Sequence, residues 1–277
     1  MSTYSAASAA LFVTLILASQ TAGAQSIADR VKQVKDGGVR MSFASRPEVC
    51  GNGEGNITIR SKGEKDDDDG NTSISHGSWS RRQNSDVEWS RQCDYGPVRV
   101  ALTVKDGRPT RLRTYVGGQW KAAGAGITDL GTVSVKAATD YLLALAANDE
   151  GRAGKEAIFS ATLADSVEVW PTLLKLARSD DVPMETRKQA TFWLGQSAGE
   201  KITESLTGLA VSDTVDREVR ESAVFGLSQR PRSEGVPALV KIARTNKDPE
   251  VRKKALFWLG QSGDPRAIAL FEEILSK

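Results

Sequence analysis

The sequence predicts a mainly α fold, with an α-α superhelix (solenoid) at the C-terminus and a small disulfide-tied antiparallel β segment before it, so that the chain is α+β overall. Three observations predict this. One segment occurs three times, with Arg187, Arg220 and Arg252 in equivalent places 33 and 32 positions apart, a spacing typical of stacked helical units. The apolar period is two before residue 120 and 3.6 after residue 133. Only two cysteines occur, Cys50 and Cys93.

The composition is that of an ordinary globular protein with one or two domains. The 277 residues are 39% hydrophobic and 26% charged, and 37 basic residues against 35 acidic ones leave a net charge of +2. With this balance, the molecule as a whole has no electrostatic field that would attract nucleic acid or an anionic membrane. The balance does not exclude local patches of charge. We therefore expect no nucleic-acid partner.

Residues 1–24 have the features of a signal peptide. They contain no charged side chain, hold an apolar run at 9–18, and end in Ala22-Gly23-Ala24. Cleavage is predicted after Ala24, which gives a periplasmic or secreted protein with no membrane insertion after cleavage. The segment lacks the usual basic residue near its start, so an uncleaved anchor or a different start site is the alternative.

An exported chain with an even pair of cysteines is expected to form a disulfide bond. A Cys50–Cys93 bond would close a loop of 43 positions. In the chain-entropy treatment such a loop contributes about 4 kcal/mol. Free thiols or a metal pair is the alternative, but two cysteines and one histidine complete no tetrahedral zinc site without carboxylates.

A small β-rich domain is predicted before the helical repeats. Two alternating runs flank Asp106-Gly107, which is a strong hairpin signal, and the first helix of the solenoid is expected to cover the apolar face of the sheet. The predicted parts are an N-terminal arm or short helix at 25–36, the β domain at 37–120 with strands at 39–44, 57–60, 97–104 and 110–116, and a linker at 121–133.

Within the β domain, residues 61–84 have the composition of a disordered acidic loop. Asp66 to Asp69 are contiguous, whereas calcium loops space their ligands, so a solvated charge run is favoured over a cation site. The only histidine, His76, lies in the same stretch. No general base with an orienting partner can be assembled around it.

From Ser134 to Lys277 the sequence predicts about four helix pairs and one leading helix. Asp248-Pro249 and Asp264-Pro265 each put a capping carboxylate before a proline at the first helical position. Gly195 and Gly260 are expected at helix ends, where they ease the corner. The nine predicted helices are 134–147, 155–164, 169–178, 184–197, 202–211, 217–229, 235–244, 249–261 and 265–275.

This region resembles the HEAT and HEAT-like (phycobilisome-lyase type) repeats. Their pattern D-P-x-V-R-x-x-A-x-x-x-L-G is met by Asp248 to Arg252, Ala255 and Leu259-Gly260, and the middle copy departs from it with Gly226 in place of tryptophan. The whole arrangement is similar to exported bacterial HEAT-repeat proteins. The structural positions of the repeats are Ala190, Trp193, Leu194, Gly195, Ala223, Leu227, Ala255, Trp258, Leu259 and Gly260.

The resemblance implies a curved scaffold whose second helices line a concave surface for a protein partner. The polar positions on those helices are the candidate partner-binding residues, although an ordinary solvated face is an equal alternative for each. The recurring arginines of the first helices are expected to pair with acidic residues of an adjacent repeat. The candidates are Lys175, Arg178, Lys241, Arg244, Glu272 and Glu273.

The sequence favours a non-enzymatic protein-binding scaffold, with no catalytic residue, no cofactor and no metal. It contains no G-x-S-x-G, Walker or H-E-x-x-H motif, and one histidine excludes an iron hydroxylase built from His-Glu pairs. A lyase-like enzyme on HEAT-like repeats is the first alternative. The second alternative is an envelope sensor or regulatory component whose sheet binds and whose repeats transmit.

Overall fold

The structure is a computed structural model that describes residues 25–60, 73–76, 93–149 and 151–276. Two β-sheets form the N-terminal part and an array of helices forms the rest. The strands are β1 Asp36–Phe43, β2 Val49–Gly51, β3 Ile57–Arg60, β4 Ser73–His76, β5 Val98–Lys105, β6 Arg108–Val116 and β7 Ile127–Thr132. The helices are α1 Ile27–Gln33, α2 Val135–Asn148, α3 Arg152–Thr162, α4 Trp170–Arg178, α5 Met184–Gly195, α6 Glu200–Val211, α7 Arg217–Ser228, α8 Arg232–Thr245, α9 Pro249–Ser262 and α10 Pro265–Leu275.

The larger sheet has the order β6-β5-β1-β7. Its hairpin is the predicted one, because Asp106 and Gly107 both have positive φ, 50° and 72°, as a tight two-residue hairpin turn requires. Strands β5 and β1 pair antiparallel, and β7 adds a parallel pair with β1. The prediction of a linker throughout 121–133 was wrong for β7. This strand buries only Leu130, so it shows no alternation of apolar residues along the chain.

The smaller sheet has the order β2-β3-β4 and carries the disulfide. Cys50 and Cys93 are joined, with 5.3 Å between their Cα atoms, as predicted. The prediction of loop throughout 61–84 was wrong for β4, whose Ile74 pairs with Ile59 of β3. A polar segment of four residues forms a strand because it pairs with a neighbouring strand, and its own composition does not indicate this.

One face of the larger sheet is buried against helices. Leu112 and Val116 of β6 are buried, and between them Thr114 shares a 2.6 Å hydrogen bond with Ser160 of α3. Helix α3 also packs on β5, and α1 contacts β6. The predicted cover was the first helix of the solenoid, α2, but α3 and α1 make these contacts. The sheet and the helical array therefore share α3.

The helices form two layers. The first helices of the pairs, α3, α5, α7 and α9, pack in succession, as do the second helices, α4, α6, α8 and α10, while α2 packs on α3. This gives the predicted four pairs and a leading helix. Ala190, Ala223 and Ala255, one from each copy of the repeated segment, are fully buried, which lets neighbouring helices approach closely.

Aromatic rings link successive first helices. Phe159 of α3 lies 5.1 Å from Trp193 of α5, Phe192 stacks on Phe225 of α7 at 6.1 Å, and Phe225 lies 5.0 Å from Trp258 of α9, measured between ring centres. Each such pair contributes about 0.5–1.5 kcal/mol beyond the area it buries. The recurring aromatic residues therefore join one repeat to the next.

Glycines permit one close helix crossing. A Cβ at Gly195 would lie 2.9 Å from the Cα of Gly226, so the residue that departs from the repeat pattern makes room for α5 against α7. Gly260 lies in the last turn of α9, close to the helix end as predicted. The left-handed residue that ends α9 is Gly263, with φ of 62°.

The recurring arginines form a ladder of ion pairs. Arg187 is 3% exposed and lies 2.5 Å from Asp216 at the start of the next repeat. Arg220 lies 3.0 Å from Asp248, again in the next repeat. The predicted pairing is confirmed for both. Arg252 instead donates to the backbone carbonyls of residues 246 and 247.

Candidate partner-binding groove

A groove of about 440 Å³ lies between α2 and α4, at the start of the helical array. It opens because α2 packs on α3 and α4 packs on α5, while α3 packs on α5, so that α2 and α4 lie side by side without interlocking. The lining residues are Asp140, Leu143, Ala144, Ala147, Asn148, Thr172, Lys175, Leu176, Ser179, Asp181 and Val182.

The groove has an apolar floor. Leu143, Leu176 and Val182 are each 6–8% exposed, so these side chains are almost completely covered yet still reach the groove surface. Ala144 and Ala147 stand at i and i+3 of α2 and belong to the same lining. Their short side chains leave the space that longer residues would fill.

The rim of the groove is charged. Asp140 forms an exposed ion pair of 2.6 Å with Lys136, one turn earlier on α2. Lys175 and Asp181 are exposed, and within the described ranges Lys175 has no ion pair. The rim thus offers the cation of Lys175 and the carboxylate of Asp181 beside an apolar floor.

A buried phenol lies on α2 close to the groove. The hydroxyl of Tyr141 has no hydrogen-bond partner in the part of the chain that the structure describes. Burial raises the pKa of this phenol, and the nearby carboxylate of Asp149 raises it further. Tyr141 therefore stays protonated at neutral pH and supplies no charge to the groove.

The structure does not bring the six predicted binding residues into one site. Lys175 lines the groove. The guanidinium of Arg178 lies against α6, 3.6 Å from the place where a Cβ at Gly208 would stand. These two residues occupy one helix but face different surroundings.

The remaining four predicted residues lie on α8 and α10. Arg244 and Glu273 form an ion pair of 2.5 Å across these helices, so they join neighbouring repeats. Lys241 and Glu272 are exposed. The pairing of Arg244 with Glu273 agrees with the alternative interpretation of these residues, in which they belong to an ordinary solvated face and not to a binding site.

Sequence reasoning missed most of the groove. Leu143, Leu176 and Val182 read as ordinary core positions, and Ala144 and Ala147 as ordinary helix positions. The one available signal was the pair of alanines three residues apart on the leading helix. That signal acquires meaning only when the separation of α2 from α4 is known.

Nothing in the described ranges suggests a metal centre. No group of three or more His, Cys, Asp or Glu side chains is placed there to hold an ion. The predicted charge run from Asp66 to Asp69 lies outside the described residues. His76 lies in β4, where its backbone pairs with Ile57.

The family comparison bears on residues 210–277, which match the family model for HEAT repeats. This part of the chain is made of HEAT repeats. The match spans α7 to α10, where the pattern around Asp248-Pro249 was found in the sequence. No curated protein matches the chain.

HEAT repeats build extended surfaces that generally mediate protein–protein interaction, and the family is generally non-catalytic. The layered helices of this chain fit that architecture. Across the ranges that the structure covers, no helix combines the length and apolarity needed to cross a bilayer.

Proposed function

We propose that this HEAT-repeat protein is a non-enzymatic scaffold that binds a protein partner in the groove between α2 and α4. The observation that carries the proposal is the groove itself, where an apolar floor meets the cation of Lys175, which forms no ion pair with the residues that the structure describes. Protein interfaces combine a desolvated apolar centre with a polar rim in the same way. A partner segment with an apolar side chain beside a carboxylate would complement both features.

The layer of second helices offers a continuation of this surface. Val211, at the end of α6, is 45% exposed, and Lys241 and Glu272 are exposed on α8 and α10. A partner anchored in the groove would extend along this layer, which is the surface that the HEAT resemblance assigns to binding. Isolated surface charges add little affinity, so the groove supplies the anchor.

We infer that the scaffold acts in the periplasm or outside the cell. The apolar N-terminal stretch with its Ala22-Gly23-Ala24 ending supports export. The Cys50–Cys93 bond supports the same conclusion, because structural disulfides persist in oxidising compartments.

A sensor or regulatory role is the second candidate. It is favoured by α3, which packs against the sheet through Ser160 and against α5 of the next pair. A change at the sheet would therefore reach the helix on which α2 rests.

Site-specific photo-crosslinking tests the proposed function. A photoreactive amino acid at Thr172, on the groove side of α4, is compared with one at Lys253, which is 79% exposed on α9 in the layer of first helices. We expect one protein to be crosslinked from position 172 and not from position 253, and to bind again when purified. Equal crosslinking from both positions, or no binding by the purified protein, would contradict the proposal.

A further inference from the structure

One face of the larger sheet has none of the described helices packed on it. Along β6, Leu112 is buried on the helix side, while its neighbours Arg111 and Arg113 are exposed and point the other way. The same alternation in β5 buries Val100 and Leu102 and turns their neighbours outward. We call this surface the open face; by strand register its charged residues are Asp36, Arg40, Arg99, Lys105, Arg108, Arg111, Arg113 and Asp129, of which Arg99 is buried.

The open face is strongly basic although the protein as a whole is nearly neutral. It carries six cations and two carboxylates; Asp129 is already paired with Arg40 at 2.7 Å, and Asp36 lies opposite Lys105 in the register of β1 and β5. Lys105, Arg111 and Arg113 are exposed, and in the described part of the chain no acidic side chain pairs with them. Arg111 and Arg113 therefore have no ion-pair partner among the described residues, while Lys105 has the carboxylate of Asp36 as its cross-strand neighbour.

The centre of the open face is low and flat. Gly38, Ala101 and Thr103 occupy neighbouring positions on β1 and β5, between the arginines of β6 and Arg40. Short side chains in the centre and long cations at the side give a broad surface and not a deep cleft. Ile127, at the β7 edge, is 42% exposed.

The aromatic rings beside this face are already occupied. The guanidinium of Arg99 lies 4.9 Å from the ring centre of Trp120, and that of Arg40 lies 5.2 Å from it. Tyr115 packs edge-on against the same indole. Single-stranded nucleic acids are held mainly by bases stacked on free rings. A basic surface with engaged rings and an exposed apolar edge favours a planar anionic partner.

We propose that the open face docks on an anionic lipid surface, with Lys105, Arg111 and Arg113 contacting the headgroups. Clusters of lysine and arginine bind such surfaces by attraction to the negative potential within a Debye length. The contact is peripheral, because the basic side chains meet headgroups and no helix enters the bilayer. It goes beyond the scaffold function and uses a surface on the other side of the sheet from α3.

Vesicle flotation tests this proposal. The protein is purified in the form that accumulates on expression, and its N-terminal residue is determined by mass spectrometry. It is then mixed in about 0.1 M salt with one of two kinds of vesicle: phosphatidylcholine alone, or phosphatidylcholine with about 30 mol % phosphatidylglycerol. We expect binding to the anionic vesicles only, and release at about 0.5 M salt. Each cation contributes about fivefold, so the variant Arg111→Ser/Arg113→Ser should lose about 25-fold in apparent affinity.

The matched control removes the same charge elsewhere. Lys136 and Lys253 are each 79% exposed on α2 and α9, and the variant Lys136→Ser/Lys253→Ser should bind within about twofold of the parent. Melting curves of both variants verify the fold. Equal binding to neutral vesicles, or an unchanged affinity of the Arg111→Ser/Arg113→Ser variant, would overturn the proposal. The proposal would also be overturned if the Arg111→Ser/Arg113→Ser variant lost binding to oligothymidylate but still bound vesicles, because the open face would then bind nucleic acid.

Discussion

The ion pair between Arg187 and Asp216 offers a sharp test of how the repeats are joined. Arg187 is 3% exposed, its Nη1 lies 2.5 Å from Asp216 at the start of the next repeat, and its Nε donates to the carbonyl of Ala177 at 3.3 Å. A second carboxylate, Asp180, lies 3.0 Å from Nη2. The guanidinium is therefore buried between two pairs of helices, and its charge depends on these groups.

The coupling energy depends on how far each of the two partners is shielded from solvent. A hydrogen bond to a charged group contributes about 1.5–3 kcal/mol when it is shielded from solvent. Asp216 is 49% exposed, so water screens part of the interaction, and we expect about 1–2 kcal/mol. The perturbation is a double-mutant cycle with Arg187→Met and Asp216→Ala, measured by urea unfolding monitored by circular dichroism.

The control is an ion pair of similar length on the surface. Lys136 and Asp140 lie 2.6 Å apart on α2, but their side chains are 79% and 63% exposed. Such a pair contributes about 0.3–0.5 kcal/mol. If the cycle for Arg187 and Asp216 gives no more than this control, the ladder does not join the repeats and the reasoning fails.

Three further changes test other parts of the structure. Gly195→Ala should destabilise by about 1–3 kcal/mol because its Cβ would meet α7, whereas Gly124→Ala, where nothing lies within 4 Å, should be neutral in the same urea titration. Hydrogen bonds from the side chain and the backbone of Arg266 hold the pKa of Asp264 at about 2, below its ordinary value of 3.8. The stability that this carboxylate confers is present above about pH 4 and lost towards pH 2, so Asp264→Asn should flatten the decline in melting temperature over this range; an unchanged slope would contradict this. Replacing Cys50 and Cys93 by serine should cost about 4 kcal/mol in unfolding experiments, and a loss below 1 kcal/mol would show that the loop contributes little entropy.

The helical repeats could be predicted because their evidence is local and recurs. Ala190, Ala223 and Ala255 keep one spacing and are all fully buried, and the capping carboxylate of Asp248 begins its helix as expected. The hairpin around Asp106-Gly107 was equally predictable, since its turn chemistry is contained in two residues.

The two strands that the sequence did not predict, β4 and β7, form by pairing with strands that are distant in sequence. Strand β4 is polar apart from Ile74, and β7 buries only Leu130, so neither shows a periodic pattern. Both become strands because a neighbour supplies backbone hydrogen bonds. Gly226 illustrates the same limit: it departs from the repeat pattern, but its value is the close contact with Gly195, which appears only when the helices cross.

The groove was the least predictable feature. It arises from the space between α2 and α4, and no residue type marks an empty space. Lys175 was predicted as a candidate, while Arg244 and Glu273, also predicted as candidates, form an ion pair with each other. An exposed charged residue on a second helix has the same sequence pattern whether it pairs with a neighbouring repeat or binds a partner.

The affinity of the groove for its crosslinked partner tests the central claim most directly. Ala144→Trp would fill the groove from an exposed position on α2, and Lys253→Trp on α9 adds the same ring away from it. Titration calorimetry with the purified partner should show at least about a tenfold weaker affinity for the groove variant, equivalent to about 1.4 kcal/mol, and an unchanged affinity for the control. Equal affinities for the two variants would contradict the claim that this protein binds its partner between α2 and α4.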